Sequence, residues 1–439
     1  MLLAIEKLAN DFLDISGNKP IKIISHHDTD GITSAVILSK ALKRLDKHFS
    51  VKIVKQLDIE TIKTLPKKEL LIFLDLGSNY LQELSKFESV FILDHHEITQ
   101  EVPENLRVIN PHLFNKESIS ASGLTYLFAK QLSQENKELS SLAIIGMVGD
   151  MLDREISKLN NQIINDAEVT IKKGLLFYPS TRPLHKTLEF SSSTFIPGVT
   201  GNSRGACELL REAGIERQNG EYKSLIELTE EENSKLITAI LLRRLNKNNS
   251  DIIGNIYLIK MFNKSEDARE LSAMINACSR LGYSEIALLL CLGNKEARTK
   301  AEEIYASYKQ HIISALNFVS ATKEKIEGKN YIIINARENI KDTMIGTIAS
   351  ILSVSSMYEE GTIIITLADV ENQEKIKVSA RVAGRNGRNV REILEQVTSK
   401  IGGEIGGHPL AAGCMINKNS CDIFLDYLKK ALEVETIKV

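Results

Sequence analysis

Between Ile21 and Asp150 short apolar runs alternate with longer amphipathic stretches: IKII at 21–24, VKIV at 51–54, LLIFLDL at 70–76 and VFILDHH at 90–96. Runs of this length rich in Ile, Val, Leu and Phe read as buried strands, and their alternation with helical stretches predicts an α/β fold with a parallel sheet. A further run, LAIIGMVGD at 142–150, reads as a buried helix, because its Gly and Ala positions suit close helix packing. At 439 residues the chain is longer than one ordinary core, so additional domains are expected.

In open parallel sheets ligands collect at the carboxyl ends of strands. IKIISHHDTDG (21–31) ends in His26, Asp28 and Asp30 before Gly31, and a helix is expected from about Ile32 to Leu45, its first turn offering N–H groups to an anion. Asp75 ends the third run, Asp94-His95-His96 the fourth, and Asp150 follows the fifth. Singly, each is an ordinary turn, cap or surface polar residue. Together they form a carboxylate and imidazole set suited to Mn²⁺, Mg²⁺ or a related ion, with no thiolates among them. Two such ions can clamp a phosphoryl group and activate water. Asp75, alone on its strand, is the candidate bridging ligand, and Asp150 a candidate last ligand. Strand alternation selects His26 rather than His27 as the histidine that shares a face with Asp28 and Asp30.

Composition limits the rest. A 43% hydrophobic and 26% charged chain is that of a soluble globular protein, and a formal net charge of −2 excludes a generally basic nucleic-acid binder, leaving local patches. The five cysteines are scattered and never form C-x-x-C, which argues against a disulfide scaffold or zinc finger and fits a reducing cytoplasm. MLLAIEKLANDFLDI reads as an amphipathic helix rather than a signal peptide, and no stretch approaches ~18 uncharged apolar residues, so neither export nor a membrane span is expected.

Beyond the strand ends, Asn110-Pro111 marks a turn, and Ser122-Gly123 opens an apolar helix, either as simple capping or as a phosphate cradle. Residues 155–188 carry a helical pattern ending in the basic string TRPLHK; 189–205 is a Ser, Thr and Gly-rich loop; 206–320 is mainly helical, with DIIGNIYLIKMF (251–262) as a strand and no catalytic constellation. From Lys325, KNYIIINA reads as a strand, DTMIGTIASILS as a helix, and TIIITLADV with KIKVSARVAG as a strand pair. Arg381, Arg385, Arg388 and Arg391 then crowd together ahead of GGEIGGHPLAAGC (402–414), read as a flexible glycine loop carrying Gly406, Gly407 and His408. Arginines beside such a loop read as a backbone-phosphate site.

These residues together resemble the DHH phosphoesterases, named for the triplet seen here as Asp94-His95-His96. All four of that family's metal motifs can be placed: His26-x-Asp28-x-Asp30, Asp75 in LDLG, Asp94-His95-His96, and Asp150 in GMVGDM. GGHPLAAG, with Ser379 to Arg381 before it, resembles the companion DHHA1 substrate-binding domain, and 174–201 resembles the archaeal RecJ-like branch, related to the GINS-associated nuclease and to a eukaryotic replicative-helicase subunit. His27 stands where bacterial RecJ sequences commonly have Gly. The resemblance implies a DHH catalytic domain over 1–188, an inserted, mainly helical α/β module over 189–322, and a DHHA1 domain over 323–439.

By the same resemblance, one ion is held by His26, Asp28 and Asp75 and the other by Asp30, Asp75, His95 and Asp150. His96 would face the scissile phosphate, and Asp94 would orient a ligating histidine. Ser379, Arg381 and His408, with Arg385, Gly406 and Gly407 beside them, would hold the substrate backbone in a cleft between domains. The implied cofactors are two Mn²⁺ ions, with Mg²⁺ or Co²⁺ as substitutes. The implied activity is a 5′-directed exonuclease on single-stranded DNA or RNA, with a role in replication or repair and GINS or the replicative helicase as partner. Two alternatives stand beside it: an oligoribonuclease or cyclic-dinucleotide phosphodiesterase, and a replisome scaffold with little nuclease activity.

Overall fold

The computed structural model describes residues 1–114, 117–191, 196–243, 252–322, 325–355, 357–384 and 386–433. The chain forms two compact units, one of Met1–Thr181 with Ile253–Ala306, the other of Arg182–Ile252 with Ser307–Val439.

In the first unit the amphipathic start forms α1 (Leu2–Ser16), and the apolar runs become strands: β1 (Ile21–His26), α2 (Thr29–Arg44), β2 (Phe49–Val54), α3 (Ile59–Lys63), β3 (Leu70–Leu74), α4 (Leu81–Leu84), β4 (Val90–Leu93) and β5 (Arg107–Ile109). The sheet order is β2-β1-β3-β4-β5, every neighbour parallel. One face, through Ile24, Phe73 and Ile92, packs on Ile62, Leu81 and Leu84 of the short helices. The other is covered by α1, α2 and α5 (Ala121–Leu132), with Phe12 edge-on to Phe91 and Phe128 at 5.6 and 5.7 Å. In this strand order the chain leaves β1 in one direction for β2 and in the other for β3, so their carboxyl ends open on the switch point where such sheets bind ligands.

The run at 142–150 is helical, as expected: α6 (Ser140–Gly149). The long helical pattern over 155–188 breaks in two. After α7 (Lys158–Asp166) comes β6 (Val169–Leu175), whose lysines disguise a β-branched Val-Thr-Ile start; it pairs antiparallel with a strand more than 70 residues later. That partner follows α8 (Leu184–Glu189), α9 (Ser203–Glu212) and α10 (Glu230–Arg243) of the second unit, and is β7 (Ile253–Met261). With β8 (Lys264–Asp267) it completes a three-stranded sheet, and within the same unit α11 (Ala268–Arg280) packs on α6 and α12 (Ser284–Cys291) on α2. The long α13 (Lys295–Ala321) begins in the first unit and ends in the second.

The second unit carries a six-stranded sheet built from β9 (Lys325–Gly328), β10 (Tyr331–Arg337), α14 (Asp342–Ser353), β11 (Ile363–Asp369), β12 (Lys375–Val382), α15 (Val390–Ile401), β13 (Glu404–His408), β14 (Ala411–Asn417) and α16 (Cys421–Glu433), in the order β13-β14-β12-β11-β10-β9. Ile333, Ile365 and Val378 on one face meet Leu394, Phe424 and Leu428 of α15 and α16. The stretch 402–414, expected as a flexible loop, is instead largely a hairpin. Gly407 serves it by close approach: at φ 121° a Cβ there would lie 2.4 Å from Ala411 O. Among the described residues no helix is long and apolar enough to cross a membrane.

Candidate metal centre

The β1–α2 connection folds back on itself. Gly31 crosses so close that a Cβ would stand 2.3 Å from His26 O, and Ser25 Oγ donates to Gly31 O at 2.7 Å and to Leu74 O at 3.3 Å. The helix starts earlier than expected, at Thr29, because Asp28 is its N-cap and accepts from Gly31 N–H at 3.0 Å. Strand alternation therefore ends at His26; Asp28 and Asp30 converge with it as a cap and a first-turn residue. Asp30 is gripped by the N-terminus of α5: Ala121 N–H and Ser122 N–H donate to its two oxygens at 2.6 and 2.9 Å. The helix start at Ser122-Gly123 thus serves a carboxylate of this chain.

Asp75 follows β3 with φ 59°, a left-handed conformation rare outside glycine and concentrated at functional sites. Asp150 follows α6, whose Gly146 lets the helix lie against Asp30: a Cβ there would be 2.0 Å from Ser122 Oγ and 2.6 Å from Asp30 Oδ1. The potential ligand atoms form three overlapping groups, each within 4.8 Å: His26, Asp28 and Asp75; Asp30, His95 and Asp150; and Asp75, His95 and His96. His26 Nδ1 lies 3.0 Å from Asp28 and 3.3 Å from Asp75, while His95 Nε2 lies 3.3 Å from Asp75, 3.4 Å from Asp150 and 4.0 Å from Asp30. His27 packs edge-on to His26 at 4.6 Å and stays outside these groups.

Protonation alone balances this cluster at a cost. Burial works against charge on His26, but hydrogen bonds to Asp28 and Asp75 and their negative charges outweigh it and raise its pKa to about 11. The same opposition raises His95 to about 10, with Asp75, Asp30 and Asp150 as its partners. Burial, then repulsion from Asp28 and Asp30, pushes Asp75 up to about 7, and burial with Asp30 lifts Asp150 well above the usual carboxylate range. Asp75 Oδ1 and Asp150 Oδ2 are buried without a hydrogen bond, although His95 Nε2 lies within ion-pair distance of both. Orphaned buried oxygens facing neutralisable imidazoles suit divalent cations.

Asp94 acts beside this cluster. Its Oδ1 accepts from His95 N–H, His96 N–H and His96 Nδ1 at 2.8, 3.2 and 2.7 Å, and its Oδ2 from Ser78 N–H at 3.0 Å. It therefore orients His96. Asn110 Nδ2 braces the turn through Ser78 Oγ at 2.9 Å and His96 O at 2.8 Å.

Comparison with known proteins follows these motifs. Residues 20–149 match the model of the DHH family, N-terminal domain, 176–253 that of the DHH-CID domain, and 328–434 that of the DHHA1 domain. An uncharacterized protein of Methanocaldococcus jannaschii is 30% identical over 435 residues, covering 92% of this chain and 91% of the relative. The crystal structure of exonuclease RecJ bound to manganese shares the fold at TM-score 0.61 and 18% identity, over 98% of this chain and 95% of that one. The chain belongs to the DHH family. CDC45 from Entamoeba histolytica shares the fold at TM-score 0.68 and 13% identity, over 99% of each chain.

In the DHHA1 part of this DHH protein, the sheet register lines up the expected substrate residues. Ser379, Gly413 and Gly406 form one rung across β12, β14 and β13, and Arg381, Ala411 and His408 another. Directly paired and alternate residues share a face, so Ser379, Arg381, Gly406 and His408 point one way and Gly407 the other. Arg381 is fixed by Nε donating to Ser350 Oγ at 3.0 Å and Nη1 to Ala380 O at 2.8 Å, and Gly346 of α14 leaves room beside it and Ser379. Arg385 lies outside the described residues. Arg388 is not in this group: it donates to Leu432 O and Ala431 O at 2.8 and 2.7 Å, at the end of α16. Ser78 and Asn110 escaped the sequence reading, since a turn serine and an Asn-Pro turn carry no chemical signal of their own.

Proposed function

We propose that this protein is a two-metal phosphodiesterase acting as a 5′-directed exonuclease on single-stranded DNA or RNA. The observation that carries the reading is the complete ligand cluster, with Asp75 shared between two groups of candidate ligands. Two ions, Mn²⁺ or in its place Mg²⁺ or Co²⁺, would be held by His26, Asp28 and Asp75 and by Asp30, Asp75, His95 and Asp150; once bound, they supply a lowered pKa for attacking water and neutralise charge on phosphoryl oxygens. His96 acts on the substrate. Asp94 fixes its Nδ1 and raises its pKa, so Nε2 keeps a proton to give to a phosphate or leaving oxygen. Ser379, Arg381, Gly406 and His408 bind the strand's phosphates, giving affinity without base preference. RecJ is an exonuclease by name and supports this reading; the likeness to CDC45 supports a second, in which a replisome role accompanies or replaces catalysis.

The test uses purified protein, Mn²⁺, and DNA and RNA single strands labelled at either end. Mononucleotide release from 5′ ends, abolished by Asp75→Ala, is the expected result. Cleavage of only di- to pentanucleotides or cyclic dinucleotides would replace the exonuclease with a small-substrate phosphodiesterase, and inactivity with every divalent ion would leave the scaffold reading alone.

A further inference from the structure

We propose that α11, contributed by the middle of the chain, is the positioning helix of the metal centre, with Asn276 and Arg269 as its positioning residues; this rests on reading Asp28, Asp30 and Asp150 as ligands. Thr29 separates two of those ligands and is 1% exposed. Its N–H donates to Asn276 Oδ1 at 3.0 Å, its Oγ1 donates to Ser272 O at 2.9 Å, and Ser272 Oγ lies 3.2 Å from the same hydroxyl. Residues nearly 250 positions later thus hold Thr29, between Asp28 and Asp30, by its N–H and its hydroxyl.

The same helix reaches the third ligand segment. Arg269 pairs with the buried carboxylate of Asp153, three residues past Asp150, and donates through Nη1 to Asn255 O at 3.0 Å. The two segments meet against α11: a Cβ on Gly149 would lie 2.9 Å from Thr29 Cβ and 3.2 Å from Ser272 Oγ. None of the α11 side chains is itself in a ligand group. Their contribution is to hold separate ligand segments in one register, which is how groups outside the ligand set tune metal affinity.

The experiment titrates Mn²⁺ into the metal-free full chain by calorimetry, alongside thermal melts and the Mn²⁺ dependence of phosphodiester hydrolysis. Asn276→Ala and Thr29→Val are each expected to weaken Mn²⁺ binding about 10–100-fold. Thr29→Ser, which keeps the hydroxyl without adding charge, is expected to stay within about threefold of the parent, since the bond to Ser272 survives. In Asn276→Ala, kcat at saturating Mn²⁺ should return towards the parent while the half-saturating Mn²⁺ concentration rises; a folding defect would lower kcat at every concentration. Parental Mn²⁺ affinity in both Asn276→Ala and Thr29→Val, or equal loss in Thr29→Val and Thr29→Ser, would overturn the proposal. Asp75→Ala in the same titration separates the two readings: if it binds Mn²⁺ like the parent, the ligand assignment itself fails; if it loses binding while the α11 variants keep it, only the role of α11 fails.

Discussion

At the DHH turn one carboxylate, that of Asp94, accepts three hydrogen bonds on a single oxygen and a fourth on the other, which holds its pKa well below the usual range despite full burial. The ion pair raises the pKa of His96 in return. Asp94→Asn keeps the shape and removes the charge, so the His96 pKa falls; activity that needs the protonated imidazole is then lost at lower pH. The expected result is a kcat about 10–100-fold lower, with the basic limb of the pH–rate profile moved to lower pH and Mn²⁺ affinity nearly kept. The candidate ligands themselves titrate. His26 at about 11, His95 at about 10 and, below neutrality, Asp75 at about 7 carry protons that a cation must displace. Affinity for Mn²⁺ should therefore rise with pH, at least about tenfold per unit, and more steeply below about pH 7 where Asp75 adds its proton. Calorimetry in buffers of different ionisation enthalpy reads the released protons directly, and an affinity flat with pH would refute the assignment.

Among elements, α6 shows how packing sets the site. Gly146 lies where a Cβ would meet Ser122 Oγ and Asp30 Oδ1, so Gly146→Ala must push α6 off the N-terminus of α5 and disturb a ligand. A loss of about 1–3 kcal/mol in urea unfolding is expected, with weaker Mn²⁺ binding in the same variant. The candidate ligands were legible in the sequence because each ends an apolar run or opens a helix: His26, Asp28, Asp30, Asp75, His95 and Asp150 stand out where hydrophobicity stops. What supports them was not. Asn276, Ser272 and Arg269 fall in a stretch legible only as mainly helical, since a residue that bonds a backbone N–H nearly 250 positions away leaves no local pattern. The strand β6 was hidden by its two lysines, whose side chains face solvent on a sheet edge. The glycines of 402–414 read as looseness, whereas Gly407 is there for a close backbone approach within a hairpin.

For the whole molecule, the division into units places every candidate metal ligand in the first, which is closed only by chain that returns after an excursion through the second. That unit carries buried carboxylates crowded for function. Asp75 has a folded pKa of about 7 against an ordinary value near 4, so stability present when it is protonated is lost as pH rises from about 4 to 7. Asp75→Asn should therefore stabilise the metal-free protein at neutral pH while removing Mn²⁺ binding, a trade of stability for function. Mn²⁺ binds the folded state, and at a hundredfold excess over its Kd it adds about 2.7 kcal/mol, or about 5–10 °C for a unit of this size. In differential scanning calorimetry that shift is expected in the transition of the first unit alone, and to vanish in Asp75→Asn. Equal movement of both transitions would mean that the ions stabilise the chain from outside the cluster, and the ligand assignment would fall with it.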